Sequence, residues 1–293
     1  LKVVTTIKPL HSLISNVMDG IGEPGLIIDG SISPHSFTMK PSHAKMLEEA
    51  DVIFWIGEGI ETSMEEPLDS IAKDAEVIEF MELDSIAKLK FREESIFGDH
   101  DDHDDHDDHD DHDDHDDHEG HAHGEHDPHA WLSPKIAKVW LNSIAAKLSE
   151  VDPDNAATYF SNAKSARDNI DALVSEVNSI LDPIREKKFV VFHDAYQYFE
   201  KDFGISASGA ISLGDASDPS PARLAEIRKR VVDEAVECVL AEPQYKEGLV
   251  KAVVEGTDAN TAVIDPLGVK LETGPSLYEN LIRNLATNLA KCF

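Results

Sequence analysis

Basic residues are scarce in this chain. Lys and Arg number 26 against 58 Asp and Glu, leaving a formal net charge of -32 over 293 residues. A surface of that sign repels phosphate backbones and anionic lipid, which argues against nucleic acid and membrane surfaces as partners and favours cations. No run of about 18 apolar residues is present, so nothing in the sequence reads as a membrane-spanning helix. The HExxH pair of helical zinc hydrolases is also missing. Cysteine is limited to Cys238, in the apolar run ECVLAEP, and Cys292, after the amphipathic LYENLIRNLATNLAKCF. That spacing allows either two buried thiols or a disulfide stapling the last helix to a strand. The disulfide would require an oxidising compartment. The strand pattern begins directly after Leu1, as expected of a mature chain whose secretion signal has been removed.

Half of the net charge comes from one segment. Residues 99–127 hold sixteen acids and no Lys or Arg, and from Asp99 to His118 they repeat one imidazole and two carboxylates every third residue. That stretch has no apolar residue, and its period of three matches neither a helix nor a strand, so it reads as a solvated loop. Imidazole suits zinc, copper and nickel, whereas carboxylate alone would favour calcium or magnesium. Alternating the two points to a borderline transition ion, zinc first. The secondary, weaker ligands would be His100, His103, His106, His109, His112, His115, His118, His121, His123 and His126.

Elsewhere apolar runs alternate with helical patterns. Strands are predicted at Val3 to Ile7, Leu26 to Asp29, Val52 to Gly57, Glu76 to Met81, Phe189 to His193, Ile205 to Ile211, Cys238 to Pro243 and Thr261 to Pro266. Such alternation predicts an α/β protein with two lobes, each a mainly parallel four-stranded sheet flanked by helices. Residues 1–151 would form the first lobe, carrying the loop at 99–127, and residues 185–293 the second. Ser133-Pro134 is a helix start. Asp152-Pro153 opens another helix, where Phe160, Ala163, Ala166, Ile170, Leu173, Val177, Ile180 and Ile184 keep a three-or-four spacing. A helix over 152–184 would be roughly 45 Å long. One stiff helix between lobes argues against wide clamshell opening.

Ligands of open parallel sheets bind beyond the carboxyl ends of the strands. His193 ends FVVFH, Asp265 ends TAVID, His35 follows the second strand in IIDGSISPHSF, and His129 closes the acidic tract in DPHAWLSP. A cleft between lobes could gather these four as a metal site. Three imidazoles and a carboxylate make a tetrahedral zinc set. Taken singly, each position is as readily an ordinary strand-end or loop residue. Asp194 and Glu242 are candidates for orienting a ligand histidine. His11 and His43 read as surface or capping residues, and Trp131 and Tyr196 as packing around the cleft.

The phrases PHSFTMKPS, DPHAWLSP, FHDAYQYFEKDFG, LAEPQY and IDPLG occur here in the order found in one group of proteins. Across essentially its whole length the chain resembles the periplasmic metal receptors of bacterial ABC importers, specifically the ZnuA type of zinc receptor. The resemblance implies two α/β lobes joined by one long helix, with the ion between them on His35, His129 and His193. It places the fourth ligand at Asp265 in many members, and at water or another carboxylate in others. Manganese receptors of the group carry glutamate at the position of His193, so the imidazole marks the zinc branch. A Cys238–Cys292 disulfide and a periplasmic location are also implied.

The expected function is thus capture of Zn²⁺ as cargo and its delivery to an ABC permease, with no substrate transformed. The chain would act as a monomer, with periplasmic metallochaperones as further partners. The loop would be an accessory zinc collector or sensor. Two alternatives compete: a zinc storage or buffering protein acting through the loop, and a zinc-dependent hydrolase with water at the open fourth position.

Overall fold

The structure, a computed structural model, describes residues 1–30, 32–92, 126–212 and 218–293. Among these, eight strands form two parallel four-stranded sheets. The first contains β1 (Val3–Ile7), β2 (Gly25–Ile28), β3 (Val52–Trp55) and β4 (Glu76–Glu79), in the order β2-β1-β3-β4. The second contains β5 (Phe189–His193), β6 (Gly209–Ser212), β7 (Cys238–Ala241) and β8 (Asn260–Val263), in the equivalent order β6-β5-β7-β8. The central strands β1, β3 and β5 are buried along their whole length. They are the runs richest in β-branched and aromatic residues, as a sheet covered on both faces requires. The edge strands β4 and β8 are largely uncovered.

Several predicted strands run too far. Val52 to Gly57 stops at Trp55, although Ile56 beyond it is still buried, and Cys238 to Pro243 stops at Ala241. Ile205 to Ile211 shrinks to its last part. Helix α6 (Gln197–Phe203) ends on Gly204, whose φ of 62° is open to glycine at little cost, and Ile205 and Ala207 are buried before pairing begins.

The middle of the chain is helical. Ser133 starts α4 (Pro134–Val151): its hydroxyl accepts from Ile136 N at 3.1 Å and donates to Asp202 at 2.6 Å. The long helix α5 (Ala156–Leu181) follows a short turn at Pro153–Asn155 and spans about 39 Å. Its buried stripe is Tyr159, Ala163, Ala166, Ile170, Leu173, Val177 and Leu181. Phe160, expected in that stripe, is 50% exposed, because Tyr159 holds the register position and anchors its hydroxyl on Asp152.

Helix α5 packs on α4, on α1 (Lys8–Val17) and on the last helix, α9 (Leu277–Ala290). Helix α9 returns to the first sheet's helices, where Ser12 donates to Pro275 O at 2.8 Å and Tyr278 donates to Trp131 O at 2.9 Å. Lys8 adds bonds to Val269 O and Leu271 O. Segments from both ends of the chain are therefore tied together beside α5, as a stiff connection between the sheets requires. Cys238 and Cys292 form a disulfide, fixing the end of α9 to β7. No described helix is long and apolar enough to cross a membrane.

One buried acid makes a pH-dependent contribution to this fold. Glu61 is fully buried, and its carboxylate accepts from Ile56 N at 2.9 Å and Gly57 N at 3.0 Å. Burial outweighs these bonds and pushes its pKa from 4.5 up to about 7. The folded state keeps a proton that the unfolded chain sheds above pH 4.5. The stability associated with that proton is therefore lost as pH rises to about 7. Glu61→Gln keeps an acceptor and cannot ionise. Denaturant unfolding should show it more stable than the parent at pH 8, by up to about 3 kcal/mol, and little different near pH 4.5.

Candidate metal centre

The candidate centre is built from three histidines held by different local devices. His35 sits in a single 3-10 turn, Pro34–Ser36, beyond the end of β2, with Pro34 buried beneath it. His129 is buried and held by Asp127 two residues earlier. Asp127 Oδ1 accepts from the His129 backbone N–H at 3.0 Å and from the ring Nδ1 at 2.7 Å. His193 is the last residue of β5, the strand at which the order of the second sheet reverses, where open α/β sheets place ligands. Its Nδ1 donates to Glu242 Oε1 at 2.7 Å from just beyond β7. In both pairs the carboxylate accepts the hydrogen bond from Nδ1–H, which fixes the tautomer and leaves the Nε2 lone pair for a metal.

The rings are neighbours. The His35 and His129 centroids lie 5.6 Å apart, and those of His129 and His193 5.3 Å apart. Imidazoles bound tetrahedrally through nitrogen at 2.0–2.1 Å would have centroids about 5.2 Å apart, so these separations suit one shared ion. Among the described residues, no three His, Cys, Asp or Glu side chains are already drawn into a closed ligand group. The space between the rings is a cavity of about 10 Å³, lined by the three histidines with Trp131, Glu242 and Gln244 among others. That is room for about one water-sized sphere, enough for an ion and far too little for a peptide or ester.

Aromatic residues wall the site. Trp131 lies 5.2 Å from the His129 ring and donates its indole N–H to Pro266 O at 2.8 Å. Tyr245 and Tyr196 stand 5.4 and 6.2 Å from His193. Trp131 and Tyr196 are thus packing groups at the cleft, as expected.

Asp265, the expected fourth ligand, is hydrogen-bonded within its own turn. Its Oδ1 accepts from Leu267 N and Gly268 N, each at 3.0 Å, and from Gln244 Nε2 at 3.2 Å, while Oδ2 accepts from Val269 N at 2.6 Å. Asp265 is not among the residues lining the cavity. Its carboxylate pins the turn after β8.

Of the two candidate orienting acids, Glu242 takes that role and Asp194 does not. Asp194 and Glu200 instead receive the half-buried guanidinium of Arg92, with Nε 3.0 Å from each Asp194 oxygen and each terminal nitrogen 3.0 Å from a Glu200 oxygen. Asp127 was missed, although an aspartate two residues before a histidine is the spacing of a local Asx bond.

His126 pairs through its backbone with Lys90, closing the base of the acidic tract. His100, His103, His106, His109, His112, His115, His118, His121 and His123 lie outside the described residues. His11 is buried rather than on the surface, with Pro24 O at 3.0 Å from Nε2 and the Ser15 hydroxyl at 3.2 Å from Nδ1. Burial holds its pKa below the usual imidazole value. His43 accepts from Lys40 N at 3.2 Å and caps its helix, as expected.

Comparison with known proteins supplies the family. The profile of the ZnuA family, described as zinc-uptake complex component A, periplasmic, matches residues 3–292. The high-affinity zinc uptake system protein ZnuA of Brucella abortus is 47% identical, over 99% of this chain and 91% of that protein. The protein of the same description from Paracoccus denitrificans is 40% identical over the same shares. A crystal structure of ZnuA superposes with a TM-score of 0.80 at 22% identity, covering 100% of this chain and 98% of that one.

Proposed function

Because the chain belongs to the ZnuA family of periplasmic zinc-uptake components, we propose that it captures one Zn²⁺ between its two lobes and releases it to an ABC permease. His35, His129 and His193 would hold the ion, which is cargo rather than a catalytic cofactor. The observation that carries the site is the grouping of three imidazoles, two of them oriented by buried carboxylates at 2.7 Å, around a cavity the size of one water. With Asp265 committed to its own turn, water is the fourth ligand that fits best. Three imidazoles give a softer set than a carboxylate-rich one and favour zinc over manganese. A periplasmic location accords with the Cys238–Cys292 disulfide.

The orienting carboxylate provides the test. Glu242→Gln turns an acceptor held on His193 Nδ1 into an amide that can present either a donor or a weaker acceptor. Chelator-competition titration should find zinc affinity lowered about 10- to 100-fold with the stoichiometry unchanged. Wild-type affinity in that variant would remove the orienting role of the Glu242 carboxylate.

The tract at 99–127 is an accessory to this centre. Its imidazoles and carboxylates would form several weaker sites that raise local zinc, and the bridge between Lys90 and His126 closes its base three residues before His129.

 Stopped-flow loading from a zinc-limited buffer tests the collecting role, which fails if protein lacking 99–127 loads equally fast.

A further inference from the structure

The fourth coordination position has a neighbour that the site described so far leaves unused. Gln244 lines the same cavity as His35, His129 and His193. Its amide nitrogen donates to Asp265 Oδ1 at 3.2 Å. That oxygen also accepts two backbone N–H groups, so it is an acceptor, and the amide must present nitrogen to it. The amide is planar, so Oε1 faces away from Asp265. This oxygen is buried, and it has no hydrogen-bond partner among the described residues. Buried polar atoms are nearly always satisfied, and an exception beside a cavity with room for one water calls for a ligand.

We propose that Gln244 Oε1 accepts a hydrogen bond from the water that completes the zinc coordination, and that Asp265 acts at one remove by holding the amide in that orientation. The inference rests on the proposed three-histidine site. Gln244 is then a positioning residue: the turn amides of 267–269 fix Asp265, Asp265 fixes Gln244, and Gln244 fixes the water. The chemistry suits a carrier. An amide oxygen accepts a hydrogen bond but is too weak a base to take the proton, so the bound water is oriented without a general base to activate it.

The test compares wild-type protein with Gln244→Leu and with Gln244→Met, which keeps the side chain's length. Each is titrated with zinc against a chelator, loaded with Co²⁺ for its visible spectrum, and melted without metal. The expected result is one zinc per chain, an affinity about tenfold weaker, a displaced Co²⁺ band, and apo melting close to wild type. Wild-type affinity with a superimposable Co²⁺ spectrum in both variants would overturn the inference. So would lowered apo stability with an unchanged spectrum, the mark of a merely structural role. If wild-type protein itself shows no tight zinc that His193→Ala removes, the three-histidine site fails instead, independently of Gln244.

Discussion

His193→Ala should lower zinc affinity by at least about a hundredfold, since even the outer partners of metal ligands are worth 10- to 100-fold. His193 is the one ligand candidate placed by a central strand, and its buried ring is held by Glu242 at 2.7 Å. Truncation removes one of three imidazoles and leaves the Glu242 carboxylate facing the space the ring occupied. Two imidazoles and water are a poor zinc set compared with three. The fold should persist, because β5 keeps its ladder to β6 and β7. Isothermal or chelator-competition titration reads the loss, and circular dichroism checks the fold. Retained tight binding in a folded variant would exclude His193 as a ligand.

The second large effect concerns stability. Replacing Cys238 and Cys292 by alanine should cost about 4 kcal/mol at most, the chain-entropy value for a closed loop of that size, where the cysteines are 54 residues apart. For a protein of this length that corresponds to a fall in melting temperature on the order of 5 °C. The bond joins β7, which leads to Glu242 and Gln244, to the end of α9, whose other contacts reach α1 and α5. Asn260 also donates to Cys292 O at 2.8 Å, so the terminus keeps one tether when the disulfide is gone. Below the transition, zinc affinity should be unchanged. Thermal melts of the double variant and of reduced wild-type protein should agree. A melt unchanged by either treatment would contradict a stabilising role.

Much of this was legible in the sequence for physical reasons. Parallel strands buried on both faces are short, apolar and regularly separated by helices, so all eight were found, with errors mainly at their ends. His193 stood out because it ends such a segment, His35 because it follows one, and His129 because it closes the acidic tract. What the sequence left out depended on partners that no local pattern specifies. The carboxylate of Asp265 meets the amides of 267–269, which is a property of the turn's shape. Asp194 and Glu242 are both carboxylates near His193, and only packing decides that the first meets Arg92 and the second the imidazole. The one-residue slip at Phe160 follows from choosing between two adjacent apolar residues, Tyr159 and Phe160, for one stripe. Gln244 had no sequence signal at all. Its importance arises from an amide fixed on one side and a buried oxygen on the other.

The central claim is that the privileged zinc site lies between the lobes and not in the acidic tract. The most direct measurement is a chelator-competition zinc titration of protein lacking residues 99–127. The account predicts one tight zinc per chain, with affinity close to that of the intact protein. Loss of tight binding together with the tract would contradict it and would make the tract itself the functional metal store.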